Sequence, residues 1–146
     1  MSVVVSTLHL FEEVAFFEHV GVHHQYFGFG DSSRYEAFVW TTIKQDAVHI
    51  ALVLIALTRG GLWRRYICQF LAVVFFLMSG VLFVLEVLYT QRYVAGSVTG
   101  ALLVVPFFAM FLGELARREE MSRRSIAAWM VAAPALAVAI ILGLLT

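Results

Sequence analysis

The sequence predicts an all-α fold, a polytopic transmembrane bundle of four to five helices. Composition is the first reason: 62% of the 146 residues are hydrophobic, 14% are charged, and mean hydropathy is +0.89. Soluble domains carry about 45–50% apolar and about 25% charged residues, so too little polar surface is available here to cover a soluble core. The second reason is pattern, because apolar runs of roughly 20 residues, enough to cross a bilayer, alternate with short polar turns. The third is continuity: only Pro106 and Pro134 occur, and no Ser/Gly linker or low-complexity tract divides the chain. Residues 1–146 therefore read as a single integral membrane domain.

Residues 3–22 form the first helix. At about 100° per residue, His9, Glu12, Glu13, Phe16, His19, Val20 and His23 share one face. Leu10, Phe11, Val14, Ala15 and Phe17 cover most of the remainder. Surface-seeking helices carry Lys and Arg on their polar face, and this stripe has none. The helix is therefore read as spanning, with the stripe turned into the bundle; if it lies flat in the interface, the number of spans is four. Glu12, Glu13 and Glu18 interrupt its apolar stretch and no basic segment precedes it, so a cleavable signal peptide is not expected.

Residues 25–36 form a loop with an Asp-Ser-Ser turn. Residues 37–58 form the second span, whose first half is polar on one side through Thr41, Thr42, Gln45, Asp46 and His49. A tight basic turn, RGGLWRR at 59–65, leads to the third span at 66–90, which stays apolar until Glu86. Residues 91–93 connect it to the fourth, 94–116, in which Pro106 predicts a kink. The second basic turn, 117–124, precedes a fifth, uncharged span at 125–146. In that span Ala128, Ala132, Ala135 and Ala139 repeat at the spacing that lets helices approach closely.

Charge asymmetry predicts orientation. The turns 59–65 and 117–124 carry three and four arginines, whereas the alternate loops carry only Arg34 and Arg92. The positive-inside rule places the arginine turns in the cytoplasm of a multi-pass cell-membrane protein. Measured from the opposite face at the helical rise, His19, His23 and Glu86 fall within roughly 10 Å, and Glu12, Glu13, Asp46 and His49 at roughly 13–18 Å. Ionisable groups at such depth are costly and turn towards one another or a hydrated cavity. A polar cluster between the first three helices is the expectation.

That cluster supplies the candidate site. His19 and His23 are spaced i, i+4, and Asp46 and His49 i, i+3, so each pair projects from one helical face as bundle metal sites require. With Glu12, Glu13 and Glu86 they form a candidate metal-ligand set, imidazole plus carboxylate suiting Cu, Fe or Zn. The string Glu18-His19-x-x-x-His23-His24 resembles one histidine box of the membrane di-iron desaturases and hydroxylases. The resemblance covers seven residues and implies iron ligation; those enzymes use several such boxes, and this chain of five histidines has no second one. His49 paired with His9 or His19 is a possible axial pair for haem.

Three classes of function fit these residues. The leading one is a non-catalytic accessory or assembly subunit of a larger membrane complex, or a homo-oligomer, associating through helix 125–146. The second is a membrane metalloprotein or redox enzyme using the His/carboxylate cluster. The third is proton- or ion-coupled transport through Glu12, Glu13, Asp46, His49 and Glu86, a path that finds no continuation until Glu114. The lipid bilayer is the expected surrounding. Zero net charge with dispersed basic residues excludes nucleic acid as a natural partner, and the single Cys68 excludes an internal disulfide.

Overall fold

The computed structural model describes residues 1–17, 35–59, 61–118 and 120–145. Among them every regular element is helical, in the order α1 (Ser2–Ala15), α2 (Tyr35–Arg59), α3 (Gly61–Thr90), α4 (Ser97–Arg117) and α5 (Arg123–Leu145). The fold is the all-α bundle the composition predicts. Helices α2, α3 and α4 are each long and apolar enough to cross a membrane. The 14 residues of α1 rise about 21 Å, short of about 30 Å of hydrocarbon.

Three boundaries differ from expectation. Helix α1 ends at Ala15, because Phe16 leaves helical geometry (φ −118°, ψ 38°) and the next two side chains turn to different partners. Phe16 meets Tyr93 edge-on at 5.9 Å between ring centroids, whereas Phe17 packs on Tyr35 and Phe38. Helix α3 starts at Gly61 rather than 66, so the basic turn shrinks to the α2–α3 junction and Arg64 and Arg65 are helical. Gly61 takes the left-handed φ of +52° that reverses the chain there. Helix α4 starts at Ser97 rather than 94, after Gly96 adopts a φ of +87°.

Two helices widen in mid-course. Phe75–Val81 in α3 and Gly100–Val104 in α4 are π-helical, with the amide of Leu82 bonding to the Leu77 carbonyl and that of Val105 to the Gly100 carbonyl. The kink expected at Pro106 takes this form: its ring crowds the carbonyl four residues back and it donates no hydrogen bond, and the π turn just before it absorbs the mismatch. The two widened segments pack on each other. A Cβ on Gly80 would sit 2.8 Å from Val105 Cγ2, so the crossing needs glycine.

The apolar core runs along α3 through Phe70, Leu71, Ala72 and Val73, and meets Val104 and Phe108 of α4 and Ala133 of α5. Phe75 and Phe108 stack at 5.2 Å. At the arginine end, Gln69 accepts the Trp129 indole N–H (2.7 Å) and its own amide donates to the Glu120 carbonyl, which also receives Arg65. Glu114 pairs with Arg117 and Arg118. At the opposite end, the α1 C-terminus, the α2 N-terminus and the 91–96 connection meet. That end positions the candidate site.

Candidate functional site

Ser6, His9, Glu12 and Glu13 recur at helical spacing along one face of α1, and all four are buried, His9 and Ser6 completely. Their burial follows from docking against α2 and the first turns of α4. A helix start leaves its first amides without intrahelical acceptors and carries partial positive charge. Helix α4 has no capping side chain of its own. Glu12 supplies the acceptor from across the bundle: its Oε2 receives the Thr99 amide (2.8 Å) and the Thr99 hydroxyl (2.6 Å). Its Oε1 receives the Val98 amide (3.3 Å) and the Tyr93 hydroxyl (2.7 Å). Four donors converge on one carboxylate, the acceptor-only form of the side chain.

His9 completes the arrangement. Thr99 has a single hydroxyl proton, which goes to Glu12, so the 3.0 Å contact between Thr99 Oγ1 and His9 Nδ1 is a hydrogen bond donated by the imidazole. The other ring nitrogen, Nε2, lies 3.1 Å from Glu13 Oε1, close enough for an ion pair but off the line of a hydrogen bond. Phe83 meets the ring edge-on at 4.8 Å. Only glycine fits opposite, since a Cβ on Gly96 would lie 2.7 Å from Phe83, 2.9 Å from His9 and 3.0 Å from Glu13. Burial and the adjoining Glu12 carboxylate push the Tyr93 phenol up from its ordinary value.

A second polar group lies further along α1, towards mid-bundle. Ser6 Oγ donates to the Val3 carbonyl (2.9 Å), and therefore accepts from His49 Nδ1 at 2.7 Å. The neighbouring Thr7 donates to Asp46 Oδ2 at 3.0 Å. His49 Nε2 and Asp46 Oδ1 are buried without a hydrogen-bond partner. Both residues line a cleft of about 130 Å³ between α1, α2 and α3.

The single cluster expected between the first three helices is thus two groups among the described residues. Glu12 and Glu13 join His9 at the start of α4, because α1 docks with its C-terminal end level with 91–96. Asp46 and His49 face Ser6 and Thr7. Glu86 is half-buried on α3. His19 and His23, with the rest of the histidine-box string, lie outside the described residues. Among the described residues no three His, Cys, Asp or Glu side chains are grouped to hold a metal ion. His9 and His49, the possible haem pair, bond to Thr99 and Ser6 respectively. Sequence reasoning missed Tyr93, Thr99 and Gly96; the run Gly96-Ser97-Val98-Thr99, with cap-forming residues after a glycine, is the signal that marks a helix start there.

A family model described as "Protein of unknown function with HXXEE motif" matches residues 1–111, with His9-Leu10-Phe11-Glu12-Glu13 as this chain's copy of the motif. The match takes in α1 to α3 and part of α4 and stops short of α5. No curated protein and no solved structure matches the chain.

Proposed function

The chain belongs to the HXXEE-motif family, and from that premise we propose that it is a non-catalytic accessory or assembly subunit of a larger membrane complex or homo-oligomer. The observation that carries the reading is the outer face of α5. Ala128, Ala132, Ala135 and Ala139 are all exposed, and at helical spacing they form one narrow stripe, with Val131 beside it 76% exposed. Lipid-facing surfaces elsewhere on the bundle present bulky groups such as Leu57, Leu102 and Met110. A stripe of alanines instead admits another helix to close range, the geometry by which spans associate without a hydrophobic drive. The motif supports the non-catalytic part, because His9 and Glu12 bond to groups of the same chain. The arginine turns face the cytoplasm by the positive-inside rule.

Gentle native purification, with the mass of the particle measured in nanodiscs, tests this. A particle heavier than one chain is expected, reduced to the monomer by Ala132→Leu while the monomer stays folded. A monomeric particle without co-purifying subunits overturns the reading. Stoichiometric Fe, Cu or Zn that disappears in a His19→Ala/His23→Ala variant overturns it in favour of a metalloprotein.

A further inference from the structure

The cleft between α1, α2 and α3 is separate from the HXXEE contacts. It lies against the middle of α3, at Phe70, Val74, Phe75 and Met78, with Leu10 and Leu52 adding apolar wall and Gln45, Asp46, His49 and Ser79 the polar part of the lining. Two atoms of these polar residues, His49 Nε2 and Asp46 Oδ1, are buried and without a hydrogen-bond partner. His49 is 3% exposed. The hydrogen-bond pattern fixes what these atoms want. Ser6 Oγ spends its proton on the Val3 carbonyl, so the neutral His49 ring carries its proton on Nδ1 and offers a bare lone pair at Nε2. Asp46 Oδ1 is likewise an acceptor, on a carboxylate whose other oxygen is held by Thr7.

Two acceptors in an apolar wall select a ligand with at least two N–H or O–H donors and an apolar body. A buried acceptor left without a donor costs about 1–3 kcal/mol, so the pair favours whatever supplies both. The carboxylate adds preference for positive charge, and the Phe75 ring, 4.6 Å from the His49 ring between centroids, lines the same cleft. The volume, about 130 Å³, is close to that of an apolar cavity of about 150 Å³ that takes up benzene. An inorganic cation suits the site less: structural and catalytic metal sites draw on several His, Cys or carboxylate ligands, and this lining gives one imidazole and one carboxylate beside the neutral Gln45 and Ser79. We propose that this cleft binds a small lipophilic primary amine in its protonated form, the ammonium lying between Asp46 and His49 and the apolar body against Phe70, Val74 and Met78.

Benzylamine is the probe, titrated calorimetrically into the full-length protein in nanodiscs, with toluene and benzyl alcohol as uncharged analogues of the same size. Saturable binding of benzylamine, at least about tenfold tighter than either analogue, is expected. Asp46→Asn keeps the shape and removes the charge, and weakens benzylamine by about ten- to a hundredfold while leaving toluene unchanged. Met78→Phe, which fills the cleft without touching its polar atoms, abolishes binding and serves if the Asn variant does not fold. Absence of benzylamine binding overturns the proposal. So does equal binding of the three compounds, or a benzylamine affinity unmoved by both substitutions. Stoichiometric Zn²⁺ binding that requires Asp46 and excludes benzylamine assigns the cleft to a metal and overturns it as well.

Discussion

Replacing Glu12 separates the two roles of its carboxylate, acceptor and charge. In Glu12→Gln one end of the side chain still accepts and the other donates. The hydroxyls of Tyr93 and Thr99 can rotate to accept from the new amide, but the Val98 and Thr99 amides cannot. The favoured orientation sets the NH₂ towards Tyr93 and Val98, giving up the longer bond of 3.3 Å and keeping the 2.8 Å bond to Thr99. One buried donor is then orphaned, about 1–3 kcal/mol, and the negative charge at the α4 N-terminus is lost, worth about 0.3–2 kcal/mol. Glu12→Gln should thus cost about 2–4 kcal/mol. Glu12→Ala orphans both amides and leaves a void, so its cost rises to about 4–7 kcal/mol. Unfolding of the purified protein by SDS titration in mixed micelles measures both. Wild-type stability in the Gln variant, or equal losses for Gln and Ala, would refute the capping role.

Gly96→Ala should cost about 2–5 kcal/mol in the same assay, combining a positive φ with overpacking against Phe83 and His9; a neutral result means that α1 does not pack there. Tyr93→Phe removes one of the four donors and should cost about 1 kcal/mol. The folded state raises the Tyr93 phenol above its ordinary value of 10.0, so its contribution is complete below that pH and disappears as pH rises through the folded value. Wild type should therefore lose more stability than Tyr93→Phe on going above pH 10, and parallel pH profiles would contradict this. Gln69→Leu leaves the Trp129 indole N–H without its acceptor, while the Glu120 carbonyl keeps Arg65, for about 1–3 kcal/mol. Its signature is a blue-shifted Trp129 emission, as the indole loses its polar acceptor to an apolar side chain, best seen with Trp40 and Trp63 replaced by Phe.

Much of the fold is legible because hydropathy is one-dimensional: a run of Val, Leu and Phe long enough to cross lipid is recognised without knowing its neighbours. Boundaries were less so where backbone geometry decides them. Gly60-Gly61 reads as part of a seven-residue turn, 59–65, yet the left-handed Gly61 turns the chain at once and lets Arg64 and Arg65 join α3. The site shows a similar division. Periodicity alone puts His9, Glu12 and Glu13 on the buried face of α1. It says nothing of what they meet, because Thr99 is 87 residues from Glu12 and its segment carries no charge to advertise a partner. The end of α1 was hidden for the same reason, since periodicity carries the helix to residue 22 whereas it stops at Ala15. Assigning Asp46 and His49 to the same cluster as Glu12 rested on height alone, and Ser6 and Thr7, too ordinary to attract notice, are the residues they meet.

The contact between Glu12 and the first turn of α4 also bears on how the chain is threaded into lipid. A short helix with acidic groups in its second half carries little information about which way to insert, and α1 has no basic residue to bias it. Only the sense in which its C-terminal end lies beside 91–96 brings the carboxylate to Val98 and Thr99. A copy of α1 docked the other way round leaves those amides without the carboxylate. Docking across the bundle thereby ties the sense of the first helix to a turn formed 86 and 87 residues later, and the two ends of the matched region are read together.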